Sequence, residues 1–167
     1  MSSLFCYTFT MHPSEIDQLV HKGISELEMS DTFLIDVKIK NNKIEIFLDS
    51  DAGMDYTKCQ KLSRWIEAIL DETKVFGEQY VLDISSPGVG SPLKFLRQYV
   101  KNVGRIIDVK YGEGKSVRGN LQKVEDSVIY VEYEAKVKEG KKNKKVKLTE
   151  AIKFEDIIES KIKISFN

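Results

Sequence analysis

The sequence predicts an α+β protein of two domains: two helices on one face of a three-stranded sheet over residues 1–92, then a small all-β domain over 93–167 that opens with a short helix at 93–102. Three observations carry this. Helical and alternating apolar patterns interleave as far as Ser85, whereas alternating patterns alone follow Gly104. Between them, Asp83 to Leu93 reads Asp-Ile-Ser-Ser-Pro-Gly-Val-Gly-Ser-Pro-Leu, a turn-rich run. Charge changes sign across that run: up to Pro92 there are 8 Lys and Arg against 15 Asp and Glu, a net −7, and from Leu93 onward 18 against 11, a net +7.

Pro13 and Ser14 open a helix whose Ile16, Leu19, Val20, Gly23, Ile24 and Leu27 share one face, with Glu15, Asp17 and Lys22 on the other. Phe33, Ile35, Val37 and Ile39 then alternate, as do Ile44, Ile46 and Leu48, and Asn41-Asn42 between them tolerates a tight turn; this is a hairpin. Asp55 caps a second helix with the stripe Cys59, Leu62, Ile66, Ile69 and Leu70 and with Trp65 at its edge. Tyr80 to Ser85 reads as a third strand.

At the joint, Ser86, Pro87, Gly88 and Val89 have the residue types of a type II turn, with proline second and glycine third. Ser91 and Pro92 suit the cap and first position of the short helix, so a stiff joint formed by Ser86, Pro87, Gly88 and Pro92 is expected. Beyond it, alternation through Ile107–Tyr111, Val117–Leu121, Ile129–Tyr133, Val146–Phe154 and Ile162–Phe166 gives about five strands joined by short turns. So few strands in so short a stretch favour a closed barrel, which leaves no exposed edges.

Composition excludes several classes. With 41% hydrophobic and 31% charged residues the chain reads as a soluble globular protein. No apolar run approaches the roughly 20 residues that cross a bilayer, and the amino terminus lacks the basic leader of a secretory signal. A cytoplasmic location without membrane contact is expected. Cys6 and Cys59 lack the paired spacing of a zinc site and read as reduced thiols; no metal or cofactor is expected.

Three basic groups are candidate nucleic-acid contacts. Lys136 to Lys147 holds seven lysines against one glutamate, with Gly140 to Asn143 suited to the tip of an extended hairpin, so Lys141, Lys142, Lys144 and Lys145 could reach phosphates without burying charge. A solvated loop explains the same run equally well. Arg97, Lys101 and Arg105 lie on the short helix and the strand after it; Lys58, Lys61 and Arg64 share a side of the second helix; for both trios an ordinary wet surface is the simpler account. Tyr130, on the register opposite to Tyr111 and Tyr133, is the barrel aromatic best placed to stack on a base.

Catalysis finds little support. His12 and His21 are the only histidines, and neither has a metal-ligand pattern beside it. Ser85 and Ser86 lack the Gly-x-Ser-x-Gly elbow. Asp49, Asp51 and Asp55 resemble a calcium loop, but Gly53 is misplaced and no glutamate stands at the twelfth position. A hydrolase using Ser86 and the carboxylates is therefore the weakest reading.

Taken together, the run from Leu82 to Leu93 resembles the Ser-Ser-Pro-Gly-Leu-Asp-Arg-Pro-Leu signature of the bacterial ribosome maturation factor RimP family. Asp55-Tyr-Thr-Lys-Cys-Gln-Lys-Leu-Ser-Arg64, Gly104-Arg-Ile-Ile-Asp-Val109 and Phe154-Glu-Asp-Ile157 are similar to further landmarks of that family. The chain departs from it at Gly90 and Ser91, where the family has Asp-Arg, and in a longer lysine-rich hairpin. The resemblance implies a non-enzymatic, monomeric assembly factor whose second domain is an SH3-like (Sm-like) barrel. It also implies binding to the immature 30S ribosomal subunit near 16S rRNA and a small-subunit ribosomal protein. A regulatory module that binds RNA or protein away from the ribosome is the alternative.

Overall fold

The structure, a computed structural model, describes residues 11–88 and 90–164; Cys6 and Phe166 lie outside the described residues. Contacts divide the chain into two units, Met1–Pro87 and Gly88–Asn167. The division precedes the expected Pro92 because the Leu93 N–H already donates to the Ser160 carbonyl (2.9 Å), tying the intervening run to the second unit.

The first unit runs α1 (Pro13–Glu26), β1 (Thr32–Lys40), β2 (Lys43–Ser50), α2 (Tyr56–Thr73) and β3 (Val81–Ser85). Its sheet order is β1-β2-β3. β1 and β2 form the antiparallel hairpin around Asn41-Asn42, and α2 is the crossover that lets β3 lie parallel to β2. α1 is capped by the Glu15 carboxylate, which accepts from the His12 amide (2.7 Å), and α2 by Asp55, which accepts from the Lys58 amide (2.8 Å). The alternating Ile44, Ile46 and Leu48 of the central strand meet Ile16 and Val20 of α1 and Leu62, Ile66 and Leu70 of α2, all fully buried.

The alternation expected along β1 is broken. A bulge between Leu34 and Asp36 reverses the facing, so Leu34 joins the core with Val37 and Ile39, while Phe33 and Ile35 fall outside that cluster. Sequence pattern hides this because all the positions concerned except Asp36 are apolar.

In the second unit α3 (Leu96–Lys101) precedes β4 (Ile106–Tyr111), β5 (Lys115–Glu125), β6 (Val128–Glu139), β7 (Lys142–Lys153), a 3₁₀ turn (Phe154–Asp156) and β8 (Ile157–Lys163). α3 is shorter than the expected 93–102 and its cap is Phe95, not Ser91: the Gln98 carboxamide oxygen accepts from the amides of Lys94 (2.8 Å) and Phe95 (3.0 Å), which fixes the start there. Gly88 also lacks the positive φ of the expected type II turn; the positive angle is at Gly90 (φ 86°), and the turn closes from the Ser91 amide to the Gly88 carbonyl (3.0 Å). The last strand starts at Ile157, earlier than the expected Ile162, and Ile164 lies beyond it.

Among the described residues the expected closed barrel is not observed as a closed ladder: the five strands form one sheet in the order β7-β6-β5-β4-β8, with β7 and β8 as edges. The sheet is nonetheless rolled. Only four residue steps separate Lys153 at the end of β7 from Ile157 at the start of β8. Four steps reach at most about 14 Å, whereas four strand spacings in a flat sheet span about 19 Å. Across the same gap the Gly112 amide donates to the Asp156 carbonyl (3.0 Å), and Glu150 of β7 lies near enough to Tyr111 of β4 to add to burial in pushing its phenol up.

β5 makes the roll, pairing through Asn120 with β4 and from Asn120 onward with β6. At this corner the strands approach so closely that a Cβ on Gly119 would lie 2.1 Å from the Glu132 carbonyl oxygen. Inside the roll, Tyr99 anchors α3: it is buried, hydrogen-bonds Ser160, and meets Phe154 edge to face at 5.8 Å.

Two substitutions test this packing. At Gly23 of α1 a Cβ would sit 2.6 Å from Leu62 Cδ1 and 2.8 Å from Trp65 Cε3. Gly23→Ala should therefore destabilise the first unit by about 1–3 kcal/mol in urea titrations, despite a helix-propensity gain of about 0.5–1 kcal/mol. Gly119→Ala should lower hydrogen-exchange protection in β5 and β6 and leave β1 and β2 as they are.

Candidate nucleic-acid interface

The lysine-rich segment forms the far end of the β6–β7 hairpin. β6 pairs with β5 only as far as Glu132, so Tyr133–Glu139 pairs with β7 alone. These seven residues carry the ribbon about 23 Å beyond the last β5 pair at the rise of an extended strand. Glu139 opposes Lys142, so the turn is the two residues Gly140-Lys141 rather than the expected Gly140 to Asn143.

Register separates the ribbon's two faces. One bears Glu132, Glu134, Lys136 and Lys138 with Lys145 and Lys147 across from them. The other continues the core register outward through Tyr133, Ala135 and Val137, opposite Val146 and Leu148, with Val137 and Leu148 exposed. The lysines near the base are paired, Lys147 with Glu132 (3.5 Å) and Lys145 with Glu134 (3.7 Å), and Lys144 reaches Glu139 (3.9 Å). Lys136, Lys138, Lys141 and Lys142 make no ion pair among the described residues and are exposed. Of the four lysines expected at the tip, Lys141 and Lys142 carry unbalanced charge, and Lys144 and Lys145 are partly offset. Lys136 and Lys138 join the unbalanced pair, a distinction set by cross-strand register.

The other groups are placed differently. Arg97 is exposed and Lys101 half-buried on α3, held by Tyr99, and Arg105 is exposed just before β4. Lys61 and Arg64 are exposed on α2 in the first unit, but Lys58 is not a surface contact. Its ammonium donates to Asp31 (2.6 Å), to the Ser50 hydroxyl (2.9 Å) and to the Gly53 carbonyl (3.2 Å), binding the start of α2 to the end of the sheet. These bonds, that of Lys58 first and that of Ser50 next, pull the Asp31 carboxyl from 3.8 to about 2. Asp31, which no sequence pattern singles out, is the residue that turns a candidate contact into a structural clamp.

Tyr130 does lie on the outer face, but Lys123 already covers its ring at 4.5 Å from the centroid. Tyr111 packs against the second core. A further cationic group has no signal in the sequence: Arg118 of β5 grips Asp108 of β4 in a two-pronged pair (Nη2 to Oδ2, 2.9 Å), with Lys163 of β8 at 3.2 Å, and the Arg118 bond chiefly holds the Asp108 carboxyl below its usual range. Only strand pairing brings these three together.

Ser86, Pro87, Gly88 and Pro92 lie in the irregular run between β3 and α3. His12 caps α1 and His21 sits on it beside Asp17 (3.0 Å). The Cys59 thiol is pushed up, first by burial and then by Asp55. Among the described residues no group of three or more His, Cys, Asp and Glu could hold a metal, and no helix is long and apolar enough to cross a membrane.

Comparison with known proteins gives these surfaces a context. Residues 24–90 match the family profile described as the RimP N-terminal domain. Three similar relatives bear the name ribosome maturation factor RimP. That of Flavobacterium psychrophilum is 35% identical over 155 residues, covering 91% of this chain and 97% of the relative. That of Christiangramia forsetii is 33% identical over 159 residues, 93% of this chain and all of the relative. That of Prosthecochloris aestuarii is 34% identical over 116 residues, 62% of this chain and 65% of the relative.

The clamp makes a pH prediction. Because the folded pKa of Asp31 is depressed, its contribution is complete above the usual carboxylate value of 3.8 and is lost as pH falls through about 2. Asp31→Asn should lower the melting temperature at neutral pH, and the gap to wild type should close steadily on titrating from about pH 5 toward pH 2.

Proposed function

The chain belongs to the ribosome maturation factor RimP family, and from that premise we propose that it serves maturation of the 30S subunit as a non-enzymatic binding protein of the cytoplasm. In this reading the basic second unit contacts 16S rRNA in the immature subunit, and the acidic first unit takes a small-subunit ribosomal protein. The protein acts as a monomer. The second unit is read as an SH3-like (Sm-like) barrel, a reading supported by its rolled five-stranded sheet and by the corner in β5.

The observation that carries the RNA half is the projecting ribbon with Lys136, Lys138, Lys141 and Lys142 unbalanced near its end. Ammonium groups on an extended ribbon reach phosphates without desolvating in the protein, and each contact releases counterions. Such contacts report phosphate position rather than base identity, so sequence selectivity has to come from the shape of the folded rRNA. Arg97, Lys101 and Arg105 form a second, nearer contact on the same unit. The departure at Gly90 and Ser91 removes an arginine from the joint, and the longer ribbon supplies cations elsewhere.

Reversing Lys136, Lys138, Lys141 and Lys142 to glutamate should weaken co-sedimentation with 30S precursors. It should also reduce the slope of log K against log salt by about 0.7–0.9 for each phosphate that is no longer neutralised. Lys144→Glu with Lys145→Glu should have a smaller effect per residue, because each reversal replaces a partly balanced charge. Binding to free small subunits that is unchanged across salt by the four reversals would refute the assignment, and footprints on 16S rRNA locate the contact.

A further inference from the structure

The first unit offers an edge built for strand addition. β3 pairs with β2 on one side, and the Val81 amide donates to the Asn42 carbonyl (2.8 Å). Alternation along the strand therefore turns the backbone of Val81, Asp83 and Ser85 toward β2, and the N–H and C=O groups of Leu82 and Ile84 toward the other side, where no described strand pairs with them. Beside that edge runs a groove of about 340 Å³, walled by Tyr56, Gln60, Ser63 and Glu67 of α2 and floored by Leu82 and Ile84. The four α2 residues recur at helical spacing, so one stripe of the helix lines the whole length of the strand.

The opposite edge of the sheet is defended. β1 carries a bulge between Leu34 and Asp36, and Lys38 and Lys40 lie along it, both devices that discourage pairing. β3 has no register shift over its five pairs with β2, and no lysine. The charged residues lining the groove are Asp83 of the strand and Glu67 and Arg64 of α2, two carboxylates against one guanidinium, set in a unit with 8 Lys and Arg against 15 Asp and Glu. A second copy of β3 paired antiparallel about the strand centre would place Asp83 near Asp83, which disfavours self-pairing.

We propose that the α2–β3 groove binds an extended basic segment of a partner protein, which adds to β3 as a fourth strand. Its main chain pairs with Leu82 and Ile84, alternate apolar side chains enter the groove, and its Lys or Arg residues, on the other face of the sheet, meet Asp83. This names a partner chemistry and a site that the ribosomal reading leaves open, and it stands or falls independently of the lysine ribbon.

The test uses the full chain and an acetylated, amidated decapeptide of alternating lysine and valine, with a glutamate-for-lysine analogue as control. Amide exchange followed by NMR should show Leu82 and Ile84 slowed about tenfold or more by the lysine peptide. Fluorescence anisotropy should give affinity about tenfold weaker for the glutamate analogue, a weakening repeated by Ser63→Trp, which fills the groove. Asp83→Lys, on the exposed face, should weaken the lysine peptide while leaving the exchange pattern of β1 and β2 intact, which keeps the test valid if the tryptophan variant misfolds. Peptide bound with Leu82 and Ile84 exchanging at their free rates, equal affinity for both peptides, no binding at millimolar peptide, or protection of the same two amides by single-stranded RNA in place of the peptide would each overturn the proposal. Weaker 30S binding in the ribbon variants leaves every one of these readouts unaffected.

Discussion

β5 does not pair with both partners along its whole length, and the second unit is organised by how it divides itself. Its first half completes β4 and its second half completes β6, with the corner at Asn120. That division rolls the sheet far enough for a three-residue turn to link its two edges. It also deprives β6 of a neighbour beyond Glu132, so the β6–β7 hairpin leaves the sheet as a two-stranded ribbon. The same geometric fact that shapes the core thus projects the lysines. A residue without a side chain is required at the corner, because the Glu132 carbonyl occupies the place of a Cβ on Gly119.

Charge in this protein is meaningful only after pairing is known. The ribbon's lysines separate into those answered by Glu132, Glu134 and Glu139 and those near the tip that are not. Exposed pairs of this kind contribute little stability, yet they decide where uncompensated positive potential lies, and that potential is what a phosphate backbone meets. Lys58 shows the opposite case. In sequence it belongs with Lys61 and Arg64, whereas in the fold it closes the end of a sheet through Asp31, Ser50 and Gly53.

Membership of the RimP family supplies the ribosomal context, and the two units differ in what they present. One unit presents net negative charge and a strand edge unpaired among the described residues; the other presents net positive charge and a projecting ribbon. Neither feature requires a reacting group. Both exploit backbone geometry, one by turning main-chain donors and acceptors away from the sheet at an edge, the other by extending a paired ribbon past its sheet.

The element order of the first unit, its hairpin at Asn41-Asn42, the Asp55 cap of α2 and the lysine-rich hairpin were all legible, because local periodicity, capping and turn chemistry act over a few residues. The β1 bulge was not, since Phe33, Leu34 and Ile35 are all apolar and only packing against Leu48 chooses among them. The helix after the joint was placed too early, since Ser91-Pro92 is a good cap and the side chain of Gln98 decided the start instead. By itself, the sequence determined which segments become helix or strand and that the two halves oppose one another in charge. Tertiary structure alone decided the division of β5, the absence of a closing ladder, the clamp on Lys58 and which lysines stay unbalanced, because each depends on residues brought together across strands that are distant in the chain.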